Sequence, residues 1–398
     1  MSDLFHVELQ QLRAQALHRK LREIGTAQAP EVQIVGQRLV NFSSNDYLGL
    51  ANDPLLRDAA TAAIGEFGVG SGASRLVSGT LSPHVRLEAA LAKWKGTQAA
   101  LAFSSGYAAA VGTLQAIASK NDVVLLDKLS HPSLIDGAKL SGATIRVFPH
   151  NHLGKLESHL EWARNEHPDA RVVVVTEAVF SMDGDRAPLR QLAALKKRFG
   201  AMLLLDEAHA IGVLGSNGRG LSAAENLTRH VDIQLGTLSK ALGVSGGYVC
   251  GSRSVIEWLI NRARSFIFTT APPPAMAAAA TAAVEFLASA AGEECRLLLW
   301  ARVAGLRSSL EGGVLKEIEA MQSGSAIQPL IVGDEREAVE LSRALYAEGL
   351  LVPAIRYPTV ARGAARLRVT VTAAHTEQQI TQLAEALNRL RPDAAPAA

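Results

Sequence analysis

Lys240 lies in QLGTLSKALGVSGG, a lysine among small residues just after the apolar run VDIQLG. A lysine placed this way can form a Schiff base, because small neighbours leave room for a bulky planar adduct. Upstream, AMLLLDEAHAIGVLG (201–215) brings Asp206 and His209 out of another apolar run. VVLLD (123–127) leads in the same way to His131, RVVVVTE (171–177) to Ser181, and VDIQLG to Thr237 as well. A carboxylate at the end of a buried strand raises the pKa of an adjacent ring nitrogen, and a protonated pyridine ring is an electron sink for carbanion chemistry. SSGYAAAVG (104–112) sets Gly106 and Tyr107 where a helix begins, and free amides at a helix N-terminus bind phosphate. Lysine, carboxylate and phosphate donors at successive strand ends point to pyridoxal 5'-phosphate.

Each residue alone has a plainer reading: Lys240 as a surface lysine, His131 as a loop histidine, Asp206 as a helix cap. Their joint arrival at one sheet edge overrides those readings, since open α/β sheets bind ligands beyond the carboxyl ends of their strands. By its letters DEAH is the magnesium-holding motif of nucleic-acid helicases, which also need GxxxxGK[ST] around the phosphates. The one Gly-Lys pair, Gly154-Lys155, is followed by Leu156, and proline stands where the first glycine belongs. GVGSGASRLVSG (68–79) follows no clear strand and lacks the GxGxxG spacing of a dinucleotide fold. With 40 basic against 38 acidic residues, no net field draws the chain to nucleic acid or to a membrane surface. Neither partner is expected.

The elements that must position these residues follow from periodicity. Short β-branched and Leu-rich runs alternate with helical stretches such as PLRQLAALKKRFG from about 54 to 270, which indicates an α/β fold with a mostly parallel sheet covered by helices on both faces. A helix is expected over 4–24, stopped at Gly25, and QIVGQRLVNF reads as a strand pair. The triple proline 272–274 breaks the alternation, and the alanine-rich stretch around 271–292, with Glu285 inside, reads as a packed helix and not a membrane span. Mixed strands and helices beyond it suggest a smaller C-terminal α+β domain. The expected division is 1–50, 51–281 and 282–398. Cys250 and Cys295, the only two cysteines, make no disulfide framework and suit reduced thiols in a cytoplasmic protein. The N-terminus MSDLFHVELQQ has no apolar core of a signal peptide.

Six runs, NFSSNDYLGL (41–50), GSGASRLVSGT (70–80), HPSLIDGAKLSGA (131–143), VVTEAVFSMDGDRAPL (174–189), LLDEAHAIGVLGSNGRG (204–220) and GTLSKALGVSGGYVCG (236–251), together resemble the α-oxoamine synthases. These are fold-type-I pyridoxal-phosphate enzymes that condense an amino acid with an acyl thioester and lose CO₂. SAIQPLIVGD (325–334), AIRYPTV (354–360) and RLRVTVTAAHT (366–376) look most like the branch that joins L-alanine to pimeloyl-CoA or pimeloyl-acyl carrier protein in biotin synthesis. Glycine-using sister enzymes, or an aminotransferase of the same fold, are the alternatives.

The resemblance implies a role for each matching residue. Lys240 would hold the cofactor aldehyde and move protons at the substrate Cα, Asp206 would pair with the ring nitrogen, and His131 would stack on the ring. His209, with Ser181 nearby, would meet the phenolic oxygen, while Gly106, Tyr107 and Thr237 would hold the phosphate. Arg356, with Thr359 and Asn45, would bind the amino-acid carboxylate. Arg19 or Arg22, with Arg19 preferred, would contact the acyl group. A homodimer with shared sites is implied, in which Thr269 or Thr270 would reach the neighbour's phosphate.

Overall fold

The structure is a computed structural model that describes residues 2–14, 17–310 and 323–390. The strands in chain order are β1 Glu31–Ile34, β2 Gln37–Asn41, β3 Ala99–Phe103, β4 Val123–Asp127, β5 Thr144–Phe148, β6 Val172–Glu177, β7 Met202–Asp206, β8 Ile233–Thr237, β9 Gly247–Gly251, β10 Ile327–Gly333, β11 Leu350–Leu351, β12 Ala354–Ile355 and β13 Ala365–Thr370. A seven-stranded sheet in the order β3-β9-β8-β7-β6-β4-β5 forms the centre. The five strands from β8 to β5 run parallel, and β9 lies antiparallel to both β8 and β3. The four apolar runs read from the sequence are β4, β6, β7 and β8 to within two residues at each end.

Period-two side chains explain why those runs are apolar throughout. Val123 and Leu125 of β4, Val172 and Val174 of β6, and Leu203 and Leu205 of β7 belong to one core. Their neighbours Val124, Leu126, Val173, Val175 and Leu204 belong to the core on the other face. A strand covered on both faces has no solvent side to alternate toward. Helix Pro274–Leu287 packs its buried alanines and Val284 against helices Pro54–Phe67 and Ser82–Lys95. No single described helix is long and apolar enough to cross a membrane.

Two small three-stranded sheets complete the fold, β1-β2-β11 and β10-β13-β12. The β1–β2 pair turns through Val35 and Gly36, both at positive φ, and β2 pairs in parallel with β11. Residues 31–41 therefore share a sheet with the C-terminal part instead of standing apart as a 1–50 segment. Helix Pro274–Leu287 also runs across position 281, and the chain bends by 77° before helix Ala290–Ser309. The expected N-terminal helix over 4–24 is shorter, Ser2–Ala14. Leu9, Leu12 and Leu21 are 39%, 40% and 103% exposed, so its apolar spacing has no core to pack against and propensity alone does not extend it.

The edge where the parallel strands end is braced from below. Glu207, directly after β7, is fully buried and accepts the Ser222 amide at 2.9 Å and the Ser222 hydroxyl at 3.2 Å. Lys95, 2% exposed, donates to the same carboxylate and to the Arg219 carbonyl. A Cβ on Gly220 would lie 2.5 Å from the Glu207 carboxylate, and Gly220 holds φ +97°, so only glycine closes this contact. Replacing Lys95 by Met leaves a buried carboxylate without its cation. Such losses cost about 3–5 kcal/mol, and denaturant unfolding of Lys95→Met should show a drop of that size.

Candidate active site

Asp206 is the last residue of β7, 6% exposed, and accepts the Ala208 amide at 2.9 Å. Burial pushes its pKa up to about 6, with Lys240 opposing. Beside it in register stands Glu177 at the end of β6, buried and accepting the His131 amide at 2.6 Å. Burial, and then the neighbouring Asp206, raise Glu177 well above the carboxylate range. Of the pair, Asp206 is the one able to carry charge near neutral pH.

Lys240 follows β8, and its Nζ lies 2.8 Å from Nε2 of His209. Burial brings its pKa down to about 8, against the pull of Asp206 and Glu177. His209 is held well below its ordinary value by burial and then by Lys240; it is neutral. Its Nδ1 meets the hydroxyl of fully buried Tyr47 at 2.5 Å, and burial pushes that phenol to about 12. The same phenol reaches the Asn45 side-chain oxygen at 3.4 Å.

His131 caps helix Pro132–Ser141, its Nδ1 accepting the Ser133 amide at 3.2 Å and meeting the Ser133 hydroxyl at 2.7 Å. The ring stays exposed on one side, and partial burial followed by Lys240 lowers its pKa. Gly106 opens helix Gly106–Ile117, which Ser105 caps by accepting the Ala108 amide at 3.0 Å. A Cβ on Gly106 would lie 3.3 Å from the Thr237 hydroxyl, which itself meets the Ser239 hydroxyl at 2.8 Å. Tyr107 is half exposed and donates to Asp136 at 2.9 Å. A cavity of about 340 Å³ opens on Lys240, lined also by Ile24, Gln28, Asn45, Asp46 and Ser239.

Ser181 enters through its backbone: its carbonyl accepts from Nε of Arg368 at 2.6 Å. Both terminal nitrogens of Arg368 reach the Asn45 side-chain oxygen at 3.1 Å. Arg356 is elsewhere. It lines a separate cavity of about 510 Å³ with Leu17, Arg336 and Arg343, and Thr359 is exposed on the loop beyond it. Strand geometry gives the reason. Arg366 and Arg368 are two apart on β13 and both reach the 181–183 segment, whereas Arg356 leaves the sheet at the end of β12. Arg19 is exposed, and Arg22 lies over the Tyr346 ring at 5.9 Å; neither lines the Lys240 cavity. Thr270 forms an isolated bridge with Ser74, and Thr269 contacts the Thr270 carbonyl at 3.4 Å. Cys250 and Cys295 are both free thiols.

Sequence reasoning missed Arg368, Tyr47 and Glu177. A signal for the first was present: an arginine inside the alternating run RLRVTVT is buried only if something pairs with it, and Arg368 is 5% exposed.

Residues 37–387 match the family of class I and II aminotransferases. A curated 8-amino-7-oxononanoate synthase from Geobacter sulfurreducens is 46% identical over 385 residues, 96% of this chain and 96% of that protein. The chain belongs to the 8-amino-7-oxononanoate synthase family of α-oxoamine synthases. A second relative of that name, from Anaeromyxobacter dehalogenans, is 46% identical over 396 residues, covering 99% of this chain and 97% of the other. Among solved structures, a serine palmitoyltransferase from S. paucimobilis with bound PLP–myriocin aligns with TM-score 0.89 at 32% identity, covering 98% of each chain. An 8-amino-7-oxononanoate synthase from Francisella tularensis aligns with TM-score 0.74 at 29% identity, covering 88% of this chain and 97% of that one.

The α-oxoamine synthases depend on pyridoxal phosphate, and the donors present fit it. A buried carboxylate able to ionise and an exposed histidine both act on one amine of lowered pKa, which opens on a cavity, and a hydroxyl stands beside a helix N-terminus. Because the neutral amine attacks the aldehyde, cofactor capture should rise with pH through about 8, the value to which Lys240 is lowered. It should level off above that, instead of climbing toward the ordinary lysine range near 10.4. Stopped-flow absorbance of the cofactor-free protein mixed with pyridoxal phosphate over pH 6–10 measures this.

Proposed function

We propose that the protein condenses L-alanine with a pimeloyl thioester, on coenzyme A or acyl carrier protein, to 8-amino-7-oxononanoate, CO₂ and free thiol, in biotin biosynthesis. One observation carries the reading: Lys240, in charge contact with Asp206, opens on a cavity whose wall includes Asn45, the partner of Arg368, in a chain whose relatives at 43–46% identity bear that enzyme's name.

Bound pyridoxal phosphate supplies an electron sink that stabilises negative charge at the amino acid's Cα. The chain's own residues do the rest. Lys240 would hold the aldehyde carbon, and its amine would move the proton at the substrate Cα; a base with a pKa of about 8 suits that transfer near neutral pH. Asp206 keeps the ring nitrogen protonated, because an adjacent negative charge favours the cation. His131 would cover a ring face, His209 and Ser181 would serve the phenolic side, and the Gly106 and Tyr107 amides with Thr237 would hold the phosphate. Arg368, steadied by Asn45, receives the alanine carboxylate, since guanidinium and carboxylate match as bidentate partners. The cavity on Lys240 takes the acyl chain.

We further infer a cytoplasmic homodimer. Val69, Val77 and Phe268 are 76%, 80% and 71% exposed, on two segments that the Ser74–Thr270 bridge joins, and apolar surface of that kind suits a subunit contact.

The decisive assay is thiol release from pimeloyl-CoA by the cofactor-loaded protein, with L-alanine, glycine and L-serine in parallel and the product weighed by mass spectrometry. Release with alanine alone, at the mass of 8-amino-7-oxononanoate, is expected. Release only with glycine or serine sinks the alanine assignment. Lys240→Ala should lower turnover by at least about 100-fold. Arg368→Ala should raise the KM for alanine about ten-fold or more, while Arg356→Ala should leave it within about two-fold. The reverse ranking would return the carboxylate to Arg356.

A further inference from the structure

Between the loops that carry His131 and Ser181, one histidine is gripped from two sides. His150 follows β5; its Nδ1 lies 3.0 Å from Asp127 Oδ1, and its Nε2 lies 2.8 Å from Asp185 Oδ2. Both ring nitrogens face carboxylates, which requires both to donate and the ring to be a cation. The Asp127 and Asp185 hydrogen bonds and charges outweigh burial and raise its pKa to about 10. The Phe180 ring stands edge-on to it, 4.3 Å between centroids at 85°. Asn151 repeats the grip: its amide donates to Asp127 at 2.9 Å and its side chain to Asp185 at 3.0 Å.

The two carboxylates belong to different loops. Asp127 ends β4 and begins the turn that reaches His131; its Oδ1 also accepts the Leu129 amide at 2.8 Å. Asp185 closes the 180–185 loop, where the Phe180 amide donates to its carbonyl at 3.1 Å. That loop presents the Ser181 carbonyl to Arg368, and its Asp183 pairs with Arg366. β4 and β6, which lead into these loops, are hydrogen-bonded neighbours. Beyond their ends the grip of His150 and Asn151 takes over.

We propose that His150 is a positioning residue for the reaction: a cation clasped between Asp127 and Asp185, it locks the His131 loop to the Ser181 loop and thereby sets where His131 and Arg368 stand. The inference rests on the reading of this pocket as the cofactor and amino-acid site, but not on the identity of the acyl donor. Glutamine is neutral and carries its donors on a single nitrogen, so His150→Gln removes both the charge and the opposed pair of donors that span the two carboxylates. Loss of the His150 arm leaves Asn151 as the remaining bridge between the two carboxylates and loosens the loops, while leaving every residue that touches cofactor or substrate unchanged.

The test uses the full chain loaded with pyridoxal phosphate, as wild type, His150→Gln and Asp185→Asn. Hydrogen exchange is followed over 127–133 and 181–186, with helix Glu377–Leu390 as the reference. Alanine is titrated against the cofactor's visible absorbance, which needs no thioester. In His150→Gln both loops should exchange faster together, the reference helix should not, and alanine should bind about ten-fold more weakly or worse, the scale of a misplaced binding group. Asp185→Asn, which keeps the Asp127 side of the clasp, should shift both readouts in the same direction by less, and it carries the test if the glutamine variant does not fold. Unchanged loops with alanine affinity within about two-fold of wild type, or a fall in thermal stability alone, would overturn the proposal. If alanine binding shifts as expected but no pimeloyl thioester reacts, the acyl assignment falls and the positioning role stands.

Discussion

Four carboxylates crowd the edge at which the parallel strands stop: Asp127, Glu177, Asp206 and Glu207, each 6% exposed or less. Parallel pairing in register places them there together, and a low-dielectric interior does not tolerate that much like charge unpaired. Each is settled differently. Glu207 has Lys95, Asp127 has His150, Glu177 is pushed toward its neutral form, and Asp206 faces Lys240. Only the last pairing is left adjustable, because the burial that raises the aspartate also lowers the lysine. The fixed pairs are structure; the adjustable one is where chemistry can occur.

The cations that settle these charges come from distant parts of the chain. Lys95 ends helix Ser82–Lys95, His150 follows β5 and Lys240 follows β8, while Arg368, which pairs with none of the four, comes from the smaller C-terminal sheet. Arg368 joins Asn45, the Ser181 carbonyl and Tyr47 in one network. The relation between the two parts of the molecule is thus written into the pocket's hydrogen bonds, and a shift of the C-terminal part would be felt at Tyr47, His209 and Lys240 in turn.

How much of this could be read from the residues alone depended on the range of the cause. Runs such as VVLLD and AMLLLD announce buried parallel strands because both faces are apolar, and the polar residues after them share an edge by topology. Lys240, Asp206, His209, His131 and Thr237 could be grouped for that reason, Gly106 from the start of a helix, and Asn45 only through the family resemblance. Arg368 was not, because its partners lie far away in the chain: the alternating run RLRVTVT signals a buried arginine, but only the pairing of β13 with its neighbours shows what it meets. Glu177 and Tyr47 were hidden likewise, a carboxylate and a phenol whose roles arise from what stands beside them. The N-terminal helix failed the other way: its spacing was real, but within this chain it has no core to meet.

The parallel pairing of β2 with β11 joins Val40 and Asn41 to Leu350 and Leu351. A ribosome would have released the first of these strands long before making the second. The large sheet can close on its own contacts while the chain is still growing, but β2 must wait for a partner some three hundred residues later, and contacts of such long sequence separation form slowly. Asn45, Ser43 and Asp46, on the wall of the Lys240 cavity, follow β2 directly. The entrance is thus completed late, and nascent chains short of residue 350 would carry the lysine without the strand pairing that anchors its wall.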